Sequence, residues 1–273
     1  MPTLTAEALV SHLQQLRAPA AASASSGLAP VSDNRLIVAS RDYYMVFSAL
    51  PDDPAVQVEA VSNFYLPTAA ALTPGRLAQL SQRGYRERPN RNNLYRSVSP
   101  HNDAALHSLA AEVLEVFAKA YGVDAGSAAE FDLQLGVAEP VRNPDIIKLM
   151  RTLSLKRDWD ARRALYSALL GSTVLVPIDP ELLAHEDVVE PIEVDRLGKF
   201  PVIAAFTDID SLRLWQPRGA PYRAIAVTEL VPQAVARRVG SLLINPKGLV
   251  GGELYINELE SMNDALKRRA SLA

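Results

Sequence analysis

Residues 239–260 read VGSLLINPKGLVGGELYINELE, and the fold is decided by how this stretch is parsed. The apolar run through Ile244 reads as a buried strand, and Asn245-Pro246-Lys247-Gly248 reads as a turn. A second glycine pair follows, Gly251-Gly252, before an acidic helix start in which Glu258 and Glu260 favour the macrodipole. Glu253 fits the same helix-start electrostatics or, as the competing reading, a general base. Strand, turn and helix in such close order describe a sheet with helices packed on it. The stretch has no histidine and no cysteine. Its glycines spell G-x-x-G-G with the lysine ahead of the first, whereas a phosphate loop needs Gly-Lys-Ser/Thr opening a helix.

The same grammar extends upstream. Asn143-Pro144 starts a helix, cap followed by proline at N1, and two short helices break near residues 156–160. A strand over 173–178, a polar loop through Gly198 and a strand over 200–206 follow. Residues 208–215 form a short helix that Asp208 caps, residues 223–227 a strand, 228–238 a helix, and 256–269 the last helix. The alternation predicts a mixed or parallel sheet with helices on it.

The first half reads differently. Residues 4–16 set Leu4, Leu9, Val10, Leu13 and Leu16 on one helical face behind Thr5 as cap. Residues 17–30 (RAPAAASASSGLAP) are too poor in large apolar groups to offset their ordering entropy, so they read as a flexible linker. The first helix is therefore tethered, free to dock on its own domain or on a partner. Strands follow over 35–48, with a turn or bulge at Arg41-Asp42, and over 56–61; a helix then starts at Thr73-Pro74. A strand pair after Gly84 has residues 94–98 as its second member. Residues 101–121 carry the clearest helical period, closed by Gly122. The shift in composition over 138–143 marks a boundary.

Composition narrows the function. The chain has 273 residues, 48% hydrophobic and 22% charged, as a globular protein does, with a net charge of −3 that gives nucleic acid or an anionic membrane no global attraction. Without cysteine, thiolate metal sites, disulfides and a thiol nucleophile are excluded. No run approaches the ~20 residues of a membrane span, and no basic-then-apolar leader opens the chain. A cytoplasmic protein is expected.

Candidate sites are few. His101 and His107 point about 120° apart on one helix, so they are not a metal pair; His12 stands alone, and His185-Glu186-Asp187 sits in a polar loop. The run RGYRERPNRNNLYR (83–96) mixes five arginines with two tyrosines. It reads as the solvated side of a strand pair, with Arg86 and Arg91 as candidates for an acidic client or, less favoured, a phosphate backbone. Lys148, Arg151, Lys156, Arg157, Arg162 and Arg163 form a second basic patch on an amphipathic segment. No serine has a nucleophile elbow. A small-ligand cleft near 206–215 and 242–253 is the alternative, with Trp215, Asn245, Pro246, Gly251, Gly252 and Glu253 as its residues.

Two resemblances rest on particular segments. ALYSALLGSTVLVPI (164–178), PVIAAFTDIDSLRLW (201–215) and LLINPKGLVGGELYINELE (242–260) are similar to the N-terminal domain of the SseB, or enhanced serine sensitivity, family. RDYYMVFSAL (41–50), LTPGRLAQLSQRGYRERP (72–89) and SLAAEVLEVFAKAYGV (108–123) resemble the chaperone-like domains related to YbjN and type III secretion chaperones (TY-Chap). The first resemblance implies no catalytic residue. The second implies a non-catalytic fold that binds other proteins, often as dimers, around secretion or toxin systems. The expectation is therefore two α+β domains, 33–136 and 143–273, behind a helix and linker over 1–32. The chain reads as a non-enzymatic adaptor or chaperone with no cofactor, no metal and no membrane, a protein client and room for a homodimer. A cleft enzyme or nucleic-acid binding through 83–96 are the alternatives.

Overall fold

A computed structural model describes residues 2–17, 34–49, 54–89, 91–134, 141–179, 181 and 191–271. The chain divides into two compact α+β units, Met1–Pro140 and Val141–Ala273. Most of the expected linker, the composition shift at 138–140 and the loop carrying His185 lie outside the described residues.

The first unit is built on one antiparallel sheet. Its strands are β1 (Asn34–Ser40), β2 (Tyr43–Ala49), β3 (Val56–Ala60), β4 (Arg86–Arg88), β5 (Arg91–Val98) and β6 (Glu130–Gln134), in the order β4-β5-β3-β2-β1-β6. β1 and β2 form the expected hairpin, and Arg41 takes a left-handed φ of 56° at its turn. β1 is buried along its whole length, and its middle, Leu36 to Ala39, is an apolar run rather than an alternating one.

Helix α1 (Ala6–Leu16) begins at Thr5, whose side chain accepts from Ala8 N–H. Leu4, Leu9, Leu13 and Leu16 are at most 1% exposed in the core of this unit. The first helix thus docks on its own domain. His12 is structural: it stacks on Phe131 of β6 with ring centroids 4.5 Å apart. Helix α2 (Pro74–Gln82) is capped by Thr73.

The long helix departs from its expected 101–121 span. His101 precedes it and bonds to Ser99 O; α3 runs Asp103–Glu115 and then widens into a π-helical segment, Val116–Tyr121, ended by Gly122 at φ 68°. The wider turn brings Phe117 and Tyr121 edge to face at 5.4 Å and lays Tyr121 flat on Tyr43 of β2 at 4.8 Å. Two further differences are strands. β5 starts at Arg91 rather than Leu94, and β6, which pairs with β1, was not expected at all.

Tyr44, Tyr85 and Tyr121 are buried here, and loss of hydration pushes all three phenols well above their ordinary range. Their raised folded values contribute stability that is complete below the unfolded tyrosine value of about 10 and is lost as pH rises above it. Tyrosinate absorbance at alkaline pH should therefore split. The three buried phenols ionise only together with loss of secondary structure. A single smooth titration with the fold intact would contradict this burial.

The second unit carries helices α4 (Pro144–Lys156), α5 (Trp159–Leu170), α6 (Ile209–Trp215), α7 (Val227–Ala236) and α8 (Ile256–Ala270). Its strands are β7 (Thr173–Pro177), β8 (Glu193–Leu197), β9 (Phe200–Ala205), β10 (Tyr222–Ala226), β11 (Ser241–Ile244) and β12 (Gly252–Tyr255). β7 pairs with β10, and β12-β11-β9-β8 form a mixed sheet in which only β9 and β11 are parallel. A parallel pair needs a long crossover, supplied here by α6, β10 and α7. Leu175 and Phe206 exchange backbone hydrogen bonds of 2.9 and 2.8 Å, joining the two sheets.

Three local readings need correction. Pro144 opens α4, but Asn143 does not cap it. Its amide instead donates to Thr173 O and Thr207 O, each at 2.8 Å, and so ties two strand ends together. Residues 193–197 are strand β8, not loop; their polar character reflects a solvent-facing edge. Glu253 lies in strand β12, so it does not serve the start of α8.

Candidate functional site

The Asn245 turn is assembled before any cleft can form beside it. Asn245 ends β11 with φ 51° and is 2% exposed. Its Oδ1 accepts from Thr207 N–H at 2.9 Å, and its Nδ2 donates to Thr207 Oγ1 at 2.9 Å and to Val250 O at 3.3 Å. Every polar atom of this side chain is engaged within the unit. Gly248 and Gly251 crowd its backbone: a Cβ on Gly251 would sit 2.8 Å from Asn245 O, closer than real contacts allow. These glycines exist for close approach of one backbone to another, with Pro246 half-buried in the turn ahead of them.

The turn delivers β12 to one side of a cleft of about 230 Å³. Its apolar floor comes from Met150 and Leu153 of α4, Leu165 and Leu169 of α5, Ile244 and Leu254. Gly251, Gly252 and Glu253 line it as well, and a Cβ on Gly252 would meet the Met150 methyl at 3.3 Å. At its polar side, the Tyr166 hydroxyl donates to Glu258 Oε1, and Arg162 Nη1 stands 4.0 Å from the same oxygen. Glu258 Oε2 accepts from Tyr255 N–H at 2.9 Å, which holds the carboxylate at the first turn of α8. Burial first, and then the Glu258 carboxylate, push the Tyr166 phenol far up. This tyrosine is a hydrogen-bond donor at any ordinary pH.

Of the residues named from sequence for a small-ligand cleft, this one brings together Gly251, Gly252 and Glu253. Trp215 does not line it; the indole packs beside Phe206 at 5.5 Å in a separate small cluster with Leu175 and Leu212. The carboxylate of Glu253 instead accepts from the Tyr255 hydroxyl. Arg162, Tyr166 and Glu258 did not stand out as a set, because Tyr166 and Glu258 are 92 residues apart.

The arginines of 83–96 are held by the first unit itself. Arg83 pairs with Glu115 at 3.0 Å, Arg96 with Glu112, and Arg91 with Glu59 at 3.7 Å. Arg86 reaches back to Ser81 and to Tyr85 O, and Arg88 lies 3.6 Å over the Tyr95 ring. Among the described residues, no group of three or more histidines and carboxylates could hold a metal ion, and no helix is long and apolar enough to cross a membrane.

Comparison with protein families separates the two units in the same way. Residues 6–131 match the family described as T3SS (YopN, CesT) and YbjN peptide-binding chaperone 3, TY-Chap3. Residues 148–261 match the SseB protein N-terminal domain. No curated protein and no solved structure matched the chain. The chain is therefore similar, in this order, to a TY-Chap3 chaperone domain over residues 6–131 and to the SseB N-terminal domain over residues 148–261.

Proposed function

We propose that this chain is a non-catalytic adaptor or chaperone that holds a peptide segment of a client protein through its first unit. The observation that carries the reading is the match of residues 6–131 to a peptide-binding chaperone family. The fate of the candidate residues supports it. Asn245, Arg86 and Arg91 all have partners within their own units, as structural groups do. Glu115, Glu59 and Glu112 beside Arg83, Arg91 and Arg96 weigh against the nucleic-acid reading, since they offset the positive charge that a phosphate backbone would meet. A cytoplasmic setting, a link to a secretion or toxin system and a homodimer belong to this proposal through the family resemblance.

The test is native capture on the immobilised full-length chain, followed by crosslinking mass spectrometry. A stoichiometric client, displaced by free chain and crosslinked within residues 34–134, is the expected result. Absence of any such client, with turnover of a metabolite by the purified protein, would overturn it.

A further inference from the structure

The mixed sheet of the second unit ends at β12, and no described residue pairs with its outer edge. The hydrogen bonds show which groups that edge presents. Tyr255 N–H leaves the ladder for Glu258, while Ile256 N–H turns inward to Gly240 O at 3.0 Å. Antiparallel strands alternate bonded and outward-facing residues, so Glu253 aims its backbone N–H and C=O away from β11. Glu253 also lines the apolar cleft. A strand edge with a pocket beside it is the arrangement that an added strand needs: the edge binds backbone, and the pocket selects a side chain.

Charge indicates what the added strand carries. Residues 144–170 hold six cations against three carboxylates, in a chain whose net charge is −3. Lys148, Arg151, Lys156, Arg157 and Arg163 are all exposed. Arg162 at the cleft is half exposed, and its 4.0 Å contact with Glu258 is long for a pair. Glu258 is already served by Tyr166 and by Tyr255 N–H, so Arg162 can turn to a carboxylate from outside. Trp159, 71% exposed, stands at the i, i+3, i+7 spacing with Arg162 and Tyr166 along α5.

We propose that this cleft is a second peptide site, independent of the first unit. An extended acidic segment of a partner protein adds to the edge of β12 and seats one leucine- or valine-sized side chain on the floor of Met150, Leu165 and Leu254. A flanking carboxylate of the segment pairs with Arg162. A lipid surface would meet the cations, but it has no directional backbone groups to answer Glu253.

The chain has two tryptophans, so the full-length Trp215→Phe variant isolates Trp159 as a reporter. Titration with a capped hexapeptide alternating leucine and aspartate should change its emission saturably. N-methylating alternate amides, tried in both registers, should weaken binding at least tenfold in one of them. Lysine in place of aspartate, or Arg162→Glu in the protein, should each do the same. Glu253→Pro removes the outward N–H at a position where an edge strand tolerates proline, and should also lose at least tenfold. Should that variant fail to fold, the N-methylated peptides put the same question to the unaltered backbone. No saturable change, equal binding of both N-methylated peptides, or a response to anionic phosphatidylserine vesicles without one to the peptide would each overturn the proposal.

Discussion

Deleting residues 2–17 will leave the first unit unable to fold cooperatively. The segment is not an appendage: Leu4, Leu9, Leu13 and Leu16 are each at most 1% exposed. Truncating one buried leucine to alanine costs about 2–5 kcal/mol, and four together approach or exceed the ~5–15 kcal/mol that holds a whole domain. The backbone is tied in too. Leu4 N–H reaches Ser127 O and Gly126 N–H reaches Leu4 O, both at 2.9 Å, while the Asn34 amide donates to Leu16 O at 3.1 Å. Urea denaturation followed by circular dichroism should show the first unit's transition abolished in the truncated chain. Leu13→Ala alone should lower its stability by about 3 kcal/mol. A truncated chain that unfolds at the original midpoint would show that the helix is dispensable.

Asn245→Ala should be the most damaging single change in the second unit, at about 4 kcal/mol. Two costs combine. The buried Thr207 N–H and Val250 O lose their partner, and each buried unsatisfied group costs about 1–3 kcal/mol. Alanine must also adopt the left-handed φ of 51°, worth another ~1–2 kcal/mol. Asn245→Gly isolates the first cost, because glycine takes that φ freely, and should be about 1 kcal/mol milder. Gly251→Ala attacks the same turn from the other side by overpacking, for about 1–3 kcal/mol. Differential scanning calorimetry should show the second unit's transition shifting in the order Ala, then Gly. Equal losses for the two Asn245 variants would place the strain elsewhere.

The parts of the fold that sequence discloses are those whose signal is local. The leucine period of α1, proline at the start of α4, Asp208 before α6 and Gly122 after the long helix are all written within a few residues of where they act. β6, β8 and β12 are different. EFDLQ, EVDRL and GELY lie at sheet edges, where polar and charged side chains suit solvent; only their neighbours make them strands. The π-helical turn at Val116–Tyr121 leaves no compositional mark, and it accompanies the stacking of Tyr121 on Tyr43 of a distant strand. The cleft was half legible for the same reason. Gly251 and Gly252 stand out because glycine pairs always do. Arg162 read as one of several cations on an amphipathic segment and Glu258 as a dipole acid, and only tertiary closure brings Tyr166 between them.

The short β-bridge from Thr3 to Ala128, with β6 laid against β1, has a bearing on biosynthesis. Thr3 and Leu4 find their backbone partners more than 120 positions later, so a nascent chain leaving the ribosome carries that backbone and the second edge of β1 unpaired until residues 126–134 emerge. Contacts of such long sequence separation slow folding. During translation the outer edge of β1 is thus an open strand edge, and an early release or a stall before residue 126 would leave a fragment prone to aggregate.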